Sequence, residues 1–258
     1  MFGNGIALVT GAAGGLGRAT AVMLANRGMK VAFADMLFEK FGLMAETASL
    51  LRESHDVLFQ PVDVTDSESV IALLDRTERH FGEPPSLVVH CAGITASQPL
   101  FEKSSKEVHS LALFDRLMNV NASGTFNLSR LVAQRMLSLE PDASGQRGLI
   151  ITTSSMTGFE GGAAQIAYST SKAAVIGMTL PFARALGDYG IRYNSIAPGM
   201  FYTPMLRGYE EAAEALEEMI PFPRRLGTPE DFTRVVSCIM ECPMLNGAVI
   251  RVDGGLRM

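Results

Sequence analysis

One stretch decides the fold of this chain: Ile6-Ala-Leu-Val-Thr10-Gly11-Ala-Ala-Gly14-Gly15-Leu16-Gly17. Its apolar start is typical of a buried strand, its glycines indicate a tight turn, and the helix-forming residues 18–27 follow at once. A strand, a glycine-rich turn and a helix N-terminus in this order present backbone N–H groups and the positive end of a helix dipole to a pyrophosphate. The stretch therefore predicts a dinucleotide-binding turn.

Each glycine of the turn has an expected role. We expect Gly11 to make the tight turn, Gly15 to let the backbone approach the ligand, and Gly17 to let the helix pack closely. An ordinary loop or helix cap is the alternative, but the strand before the turn and the helix after it favour the nucleotide site. A triphosphate-binding loop is excluded because no Gly-Lys-Ser/Thr follows the glycines.

A carboxylate follows the second predicted strand. The stretch Lys30-Val-Ala-Phe-Ala34 predicts a buried strand, and Asp35 comes directly after it, eighteen positions beyond Gly17. A carboxylate at this place accepts hydrogen bonds from the ribose hydroxyls of the adenosine half and repels a 2′-phosphate. The next residues, Met36 and Leu37, offer no cation for such a phosphate. NAD is therefore predicted over NADP, with a strand-end turn residue as the alternative role of Asp35.

Apolar runs alternate with helical patterns along the whole chain. The runs begin at or near Ile6, Val31, Val57, Leu87, Leu149, Ile191 and Val249. Because they are nearly continuous in hydrophobicity, they are typical of parallel strands buried on both faces. No polar or Pro/Gly/Ser-rich linker interrupts them. We therefore predict one α/β domain over residues 1–258, a Rossmann-type doubly wound sheet of about seven parallel strands with its ligand at their carboxyl ends.

A tyrosine and a lysine lie at helical spacing in the second half of the chain. Residues i and i+4 share one helix face, so Lys172 is expected beneath the Tyr168 ring, with Ser155 arriving from the preceding strand. Taken alone, such a pair more often belongs to an ordinary helix. With the other motifs, we predict that Tyr168 is a general acid and base, that Lys172 lowers its pKa, and that Ser155 hydrogen-bonds the reacting oxygen.

Further motifs accompany these three residues. They are Thr10-Gly-x-x-x-Gly-x-Gly17, Ala92-Gly93 after the fourth strand, Asn121, and Pro198-Gly199. In this order and at these separations, they resemble the short-chain dehydrogenase/reductase family over essentially the whole chain. The resemblance implies hydride transfer between NAD and a secondary alcohol or ketone.

The resemblance also implies roles for individual residues. Asn121 would hold a water molecule that connects Lys172 to solvent as a proton relay, and Lys172 would also bond the nicotinamide ribose. The implied cofactor contacts are Gly11, Gly14, Leu16, Gly17, Asp35, Asp63, Val64, Cys91, Ala92, Gly93, Tyr168, Lys172, Pro198, Gly199, Phe201 and Thr203. One departure is visible, because the family's common Asn-Asn-Ala-Gly is His90-Cys91-Ala92-Gly93 here. Hydrogen bonds that those asparagines make must be made differently.

A narrower resemblance rests on the second half of the chain. It is carried by residues 159–162, 177–184, 196–201, 221–227 and 246–254. These segments are similar to the type 2 3-hydroxyacyl-CoA dehydrogenases, which oxidise 3-hydroxyacyl-CoA thioesters and some hydroxysteroids with NAD. A homotetramer built through the helices around residues 112–138 and 164–187 is also implied. The alternatives are a 3-oxoacyl-carrier-protein reductase, a small alcohol dehydrogenase, and an NAD(H)-binding scaffold without catalysis.

Three parts of the chain are candidates for substrate contact. Apolar residues in 200–222, among them Leu206, bracket an acidic helix, and we expect this segment to close over the nicotinamide and bind an acyl chain or sterol. Packing as core or subunit interface is the alternative. Gln165 is expected to face the same cleft and orient the substrate. Lys103 and Lys106 could meet CoA phosphates or simply be solvated.

Composition and charge exclude several classes of function. The net charge of -5 without a basic stripe argues against nucleic acid, and no apolar run approaches the ~20 residues of a membrane span. The first predicted strand begins almost at Met1, which leaves no room for a signal peptide, so we expect a cytoplasmic protein. Its 3 cysteines and 4 histidines form no ligand pattern, so no metal is predicted.

Overall fold

A parallel sheet lies at the centre of the computed structural model, which describes residues 5–39, 43–51, 56–204 and 215–257. Its strands are β1 (Ile6–Thr10), β2 (Lys30–Ala34), β3 (Val57–Gln60), β4 (Leu87–His90), β5 (Gly148–Thr153), β6 (Ile191–Pro198) and β7 (Val249–Val252). They pair in the order β3-β2-β1-β4-β5-β6-β7, and each neighbouring pair is parallel. The predicted doubly wound sheet of seven parallel strands is confirmed.

Helices connect these strands and cover the sheet. They are α1 (Gly15–Asn26), α2 (Leu43–Ala48), α3 (Ser67–Phe81), α4 (Leu111–Leu117), α5 (Gly124–Met136), α6 (Ile166–Gly187) and α7 (Pro229–Glu241). A π-helical segment (Met118–Ser123) joins α4 to α5, and 3₁₀ turns follow β2 (Met36–Glu39) and β5 (Met156–Gly158). Among the described helices, none has the length and apolar character needed to cross a bilayer.

The strands are apolar on both sides because both faces of the sheet are covered. Alternate residues of a strand point to opposite faces. Val9 and Phe33 pack on one face with Leu24 of α1 and Phe232 of α7. The opposite face has its own core, which includes Leu8, Val88, Leu74, Leu128 and Tyr193. This two-sided burial explains the nearly continuous hydrophobic runs.

The order of the strands changes direction at β1. Thr10, the last residue of β1, lies opposite Ala34 of β2 on one side and His90 of β4 on the other. Loops leaving β1 and β4 therefore start side by side and connect to helices on opposite faces, which opens a crevice at the carboxyl ends of these strands. Most of the candidate residues follow strands that end at this edge.

Candidate active site

The turn between β1 and α1 is closed by glycines. Gly11 has a φ of +68°, and a Cβ atom there would lie 2.6 Å from the carbonyl carbon of Cys91. At Gly17 a Cβ atom would lie 2.2 Å from the carbonyl oxygen of Gly11, so α1 packs directly on the turn. Gly14, the N-cap of α1, makes no side-chain capping bond. The first-turn N–H groups of α1 thus fit an anionic ligand such as a pyrophosphate.

Gly15 faces a segment of the protein. A Cβ atom at Gly15 would lie 2.8 Å from the Thr203 side chain, so the chain after β6 comes close to the glycine turn. Leu16 is partly buried against the core beside α1. Gly15 therefore permits a close approach of Thr203, and its predicted contact with a ligand stays a prediction.

Asp35 is fixed beside the glycine turn by backbone hydrogen bonds. Its Oδ2 accepts the N–H of Ala13 at 3.0 Å, and its Oδ1 accepts the N–H of Leu37 at 2.9 Å. The carboxylate therefore joins the β1–α1 turn to the start of the 3₁₀ turn that follows β2. This arrangement keeps a negative charge next to the turn.

Asp63 and Val64 lie in the loop after β3. Oδ1 of Asp63 accepts both the N–H and the hydroxyl of Thr65, at 2.9 and 2.7 Å, which closes a local turn. Val64 is buried, and a Cβ atom at Gly124 of α5 would lie 2.7 Å from its side chain. Their implied contacts with an adenine stay predictions.

The segment after β4 approaches the catalytic residues. A Cβ atom at Gly93 would lie 3.1 Å from Oδ1 of Asn121 and 3.3 Å from Nζ of Lys172, so glycine leaves space between these two groups. Burial raises the pKa of the Cys91 thiol to about 11, which keeps it neutral. The contacts of this backbone with a cofactor stay predictions.

The side chain of Asn121 clamps the segment after β4 to α6. Its Oδ1 accepts the N–H of Ile94 at 2.8 Å, while Nδ2 donates to the Ile94 carbonyl at 2.9 Å and to Ser171 Oγ at 3.0 Å. Asn121 lies in the π-helical segment and is buried. Both amide hydrogens and one lone pair of the amide oxygen are therefore used in holding these elements together.

Ser155 is oriented by Thr157. The N–H and the hydroxyl of Thr157 both donate to Ser155 Oγ, at 3.2 and 2.9 Å, so the hydrogen of the serine hydroxyl is available to another oxygen. Burial raises the pKa of Tyr168, and a hydrogen bond from Ser155 opposes that change to a smaller extent. The structure therefore brings Ser155 and Tyr168 together as predicted.

Lys172 is buried against the end of β5. Its Nζ donates to the Thr153 carbonyl at 2.9 Å and lies 5.9 Å from the centre of the Tyr168 ring. Burial lowers the pKa of Lys172 from 10.5 to about 8. Burial raises the pKa of Tyr168, and the expected lowering of that pKa by Lys172 stays a prediction.

Comparison with known proteins identifies the family. The family model described as short chain dehydrogenase matches residues 5–214. The chain belongs to this family. It is 47% identical to a Drosophila melanogaster protein named 3-hydroxyacyl-CoA dehydrogenase type-2, over 100% of this chain and 99% of that protein. The human protein of the same name is 42% identical, over 98% of this chain and 95% of that protein.

A solved structure agrees with the sequence comparison. The crystal structure of 3-hydroxyacyl-CoA dehydrogenase type-2 from Mycobacterium avium matches this dehydrogenase with a TM-score of 0.87 at 33% identity. The match covers 99% of this chain and 96% of that one. The family prediction is therefore confirmed, and the dehydrogenase is an oxidoreductase that uses NAD or NADP.

The histidine that departs from the family pattern makes its own contacts across the sheet edge in this dehydrogenase. Nδ1 of His90 lies 2.6 Å from Thr10 Oγ1 at the end of β1, and Nε2 lies 3.0 Å from Thr125 Oγ1 on α5. The Ala92 N–H approaches Thr10 Oγ1 at 3.4 Å. As expected, the hydrogen bonds at this position differ from those of the family's asparagines, because an imidazole here bridges two threonines.

The structure places the candidate substrate residues of the dehydrogenase in different surroundings. Oε1 of Gln165 accepts the Gly162 N–H at 3.2 Å, so it belongs to the turn before α6. Met200 and Ile220, from the segment expected to act as a lid, pack with the buried Met156 in a small apolar cluster. Met200 and Ile220 therefore pack in the core, which is the alternative given for this segment. Leu206 lies outside the described residues.

The nicotinamide-end candidates follow β6 closely. Pro198 is the last residue of β6, and a Cβ atom at Gly199 would lie 2.7 Å from the Asp253 side chain. Phe201 is buried and forms a bridge with Gly227. The structure thus places this stretch between the glycine turn and the chain end, and its contacts with a cofactor stay predictions.

Sequence reasoning missed the residues that hold the catalytic groups. Thr157 orients Ser155, the Thr153 carbonyl binds Lys172, and Thr10 and Thr125 bind His90. Thr157 is two positions from Ser155, and a search for short side-chain turns could have found it. The others act across separations of 19 to 80 residues, which no local spacing reveals.

Proposed function

We propose that this dehydrogenase transfers a hydride between NAD and 3-hydroxyacyl-CoA thioesters, with hydroxysteroids as further substrates. The observation that carries the proposal is the meeting of Ser155, Tyr168 and Lys172 in one buried site. The names of the Drosophila and human relatives, which this chain matches over 99% and 95% of their length, support the acyl-CoA substrate.

Proton transfer in this proposal is the work of Tyr168. Because burial raises its pKa, the phenol is protonated at neutral pH and can donate to a carbonyl oxygen that is being reduced. In the oxidative direction Tyr168 must first lose this proton, through the relay at Lys172, before the phenolate takes the alcohol proton. With substrate bound, the hydroxyl hydrogen of Ser155 serves the same substrate oxygen, since Thr157 donates both of its hydrogen bonds to Ser155 Oγ and takes none from it. A bound nicotinamide would supply the hydride acceptor or donor.

NAD is the proposed cofactor because of the charges beside the glycine turn. Asp35 keeps its carboxylate there through two backbone bonds, and a 2′-phosphate at this place would meet a like charge. Arg18, in the first turn of α1, is a cation that the sequence reasoning passed over. Its Nη1 lies 2.5 Å from Oε1 of Glu46 on α2, so its charge is already paired.

Replacing Asp35 by Asn tests the cofactor proposal. We expect the wild-type preference for NAD over NADP in kcat/KM to fall about tenfold or more, because the change removes the repelling charge and keeps the side-chain shape. Steady-state kinetics with both cofactors measure it. Asp66→Asn is the matched control, since Asp66 caps α3 through the Glu68 N–H and is exposed. A wild type that prefers NADP would contradict the proposal.

A substrate panel tests the function itself. We expect NADH absorbance to rise fastest with 3-hydroxyacyl-CoAs, more slowly with hydroxysteroids and least with small alcohols. Preference for acyl-carrier-protein substrates would favour the reductase, and fastest turnover of small alcohols would favour the alcohol dehydrogenase. Protein that binds NADH but converts none of these compounds would favour a scaffold without catalysis.

Assembly and location stay predictions. Exposed apolar side chains on α5 and α6, Phe126 and Leu180, support the proposed homotetramer because apolar surface of this kind is often covered by a partner. We likewise propose a cytoplasmic location.

A further inference from the structure

His90 connects the segment after β4 to the segment that carries Asn121. From the Ala92 N–H, hydrogen-bond contacts run through Thr10 Oγ1, the His90 ring and Thr125 Oγ1 to the carbonyl oxygen of Asn121. The last contact, between Thr125 Oγ1 and that carbonyl, measures 2.6 Å. Thr10, His90 and Thr125 are 0%, 1% and 2% exposed, so these contacts are how their polar atoms are satisfied.

In each hydrogen bond of this chain of contacts, the donor lies on the Ala92 side and the acceptor on the Asn121 side. A carbonyl only accepts, so the Thr125 hydroxyl must donate to Asn121, and its oxygen is then free to accept the Nε2–H of His90. Burial and the charge of Lys172 lower the pKa of His90 to about 3, so the ring is neutral and carries one N–H. Nδ1 therefore accepts the hydrogen of the Thr10 hydroxyl. His90 is held as the Nε2–H tautomer.

Such a chain positions groups and does not conduct protons. It begins at the Ala92 amide, which does not give up its proton, and it ends on a carbonyl, which has none. Both hydrogens of the Asn121 side-chain amide are used, by the Ile94 carbonyl and Ser171, so only the oxygens of Asn121 can accept a hydrogen from a relay water, and the backbone carbonyl is the oxygen that this chain of contacts reaches. The Thr125 hydroxyl takes one of its two lone pairs and fixes its direction.

We propose that His90 is a positioning residue, which acts through the Thr125 hydroxyl to orient the Asn121 carbonyl that serves the proton relay. The inference rests on the proposed function and on the relay that the family resemblance implies, in which Lys172 is connected to solvent through a water molecule held by Asn121. The titratable groups that face this region are Lys172 and Cys91 next to His90, and the ring remains neutral between them.

Thr125→Val removes the donor to the carbonyl and keeps the shape of the side chain. We expect kcat for alcohol oxidation to fall about tenfold, and the acidic limb of the kcat–pH profile to move to higher pH by about half a unit or more. Thr125→Ser restores the hydroxyl and should rescue the profile. Thr77→Val is the matched control, because Thr77 is also buried and donates to the carbonyl four residues before it, on α3.

Two variants of His90 separate its two bonds. Glutamine brings a donor to where the imidazole Nε2 lies, while asparagine reproduces only the acceptor at Nδ1. We therefore expect His90→Gln to keep a pH profile close to that of the wild type, and His90→Asn to shift it as Thr125→Val does. An unshifted profile in Thr125→Val, or an equal shift in Thr77→Val, would overturn the proposal.

The tautomer gives a readout that does not depend on turnover. Nitrogen-15 NMR of histidine-labelled wild type should show His90 protonated at Nε2 and unchanged down to about pH 5, given its lowered pKa. A wild type without any turnover would contradict the proposed function. The NMR spectrum would still test the hydrogen bonds of His90 in that case. A proton on Nδ1, or a ring that titrates near its ordinary pKa, would overturn the inference in either case.

Discussion

Replacing Tyr168 by Phe is expected to lower kcat by about three orders of magnitude while NADH binding stays nearly intact. The change removes one hydroxyl and no charge, because burial raises the pKa of Tyr168 and keeps the phenol protonated at neutral pH. Packing of the ring near Lys172 is retained. What is lost is the atom that gives or takes the proton, so the effect should fall on kcat and not on the cofactor Kd.

Tyr193→Phe is the matched control for this loss of a buried hydroxyl. Tyr193 is fully buried on β6, and its hydroxyl lies 3.1 Å from Ser129 Oγ. Its removal should cost about 1 kcal/mol of unfolding free energy and leave kcat within about twofold. Steady-state kinetics and fluorescence titration with NADH compare the two variants. A Tyr168→Phe enzyme that keeps most of its turnover would contradict the assigned role.

The fold could be predicted because its signals are local. Parallel strands buried on both faces need continuous apolar runs, and the runs from Ile6 to Val249 gave the strands of the sheet. Glycine positions were equally informative, since Gly11 needs a positive φ and Gly17 leaves no room for a side chain. The position of Asp35 beside the turn could also be predicted, because residues that directly follow the strands of a doubly wound sheet lie together at its carboxyl edge.

The supporting contacts could not be predicted because they join distant parts of the chain. The π-helical segment around Asn121 has no marker in the sequence, yet it determines where the Asn121 carbonyl lies. Burial also decided the pKa of Tyr168, and the sequence does not show how deeply a helix is covered. Spacing along the helix paired Tyr168 with Lys172 correctly but could not show how far burial opposes ionisation of the phenol.

Replacing Lys172 by Met is expected to lower kcat by about two to three orders of magnitude and to weaken NADH binding. The ammonium is the cation of the site, and it is held 2.9 Å from the Thr153 carbonyl, so its removal takes away both a fixed charge and a donor. Lys30→Met is the control, because Lys30 is only half-buried and is loosely paired with Asp56 at 3.8 Å. Kinetics and NADH titration measure both effects.

The same substitution should reveal what the buried charge costs the fold. The gap between 10.5 and about 8 for the pKa of Lys172 corresponds to about 3 kcal/mol of destabilisation below pH 8. Between these pKa values the unfolded chain binds the proton and the folded chain does not, so wild-type stability rises with pH through this window. The Met variant lacks this rise, although it leaves the Thr153 carbonyl without its donor at every pH.

The difference between the two proteins therefore depends on pH. Relative to the wild type, the unfolding free energy of Lys172→Met should fall by about 2 kcal/mol from pH 7 to pH 9.5, as urea titrations at both pH values would measure. Other groups that titrate in this range are present in both proteins and cancel. If the difference in unfolding free energy between the two proteins stays constant with pH, burial does not lower the pKa of Lys172. The environment assigned to Lys172 would then be wrong.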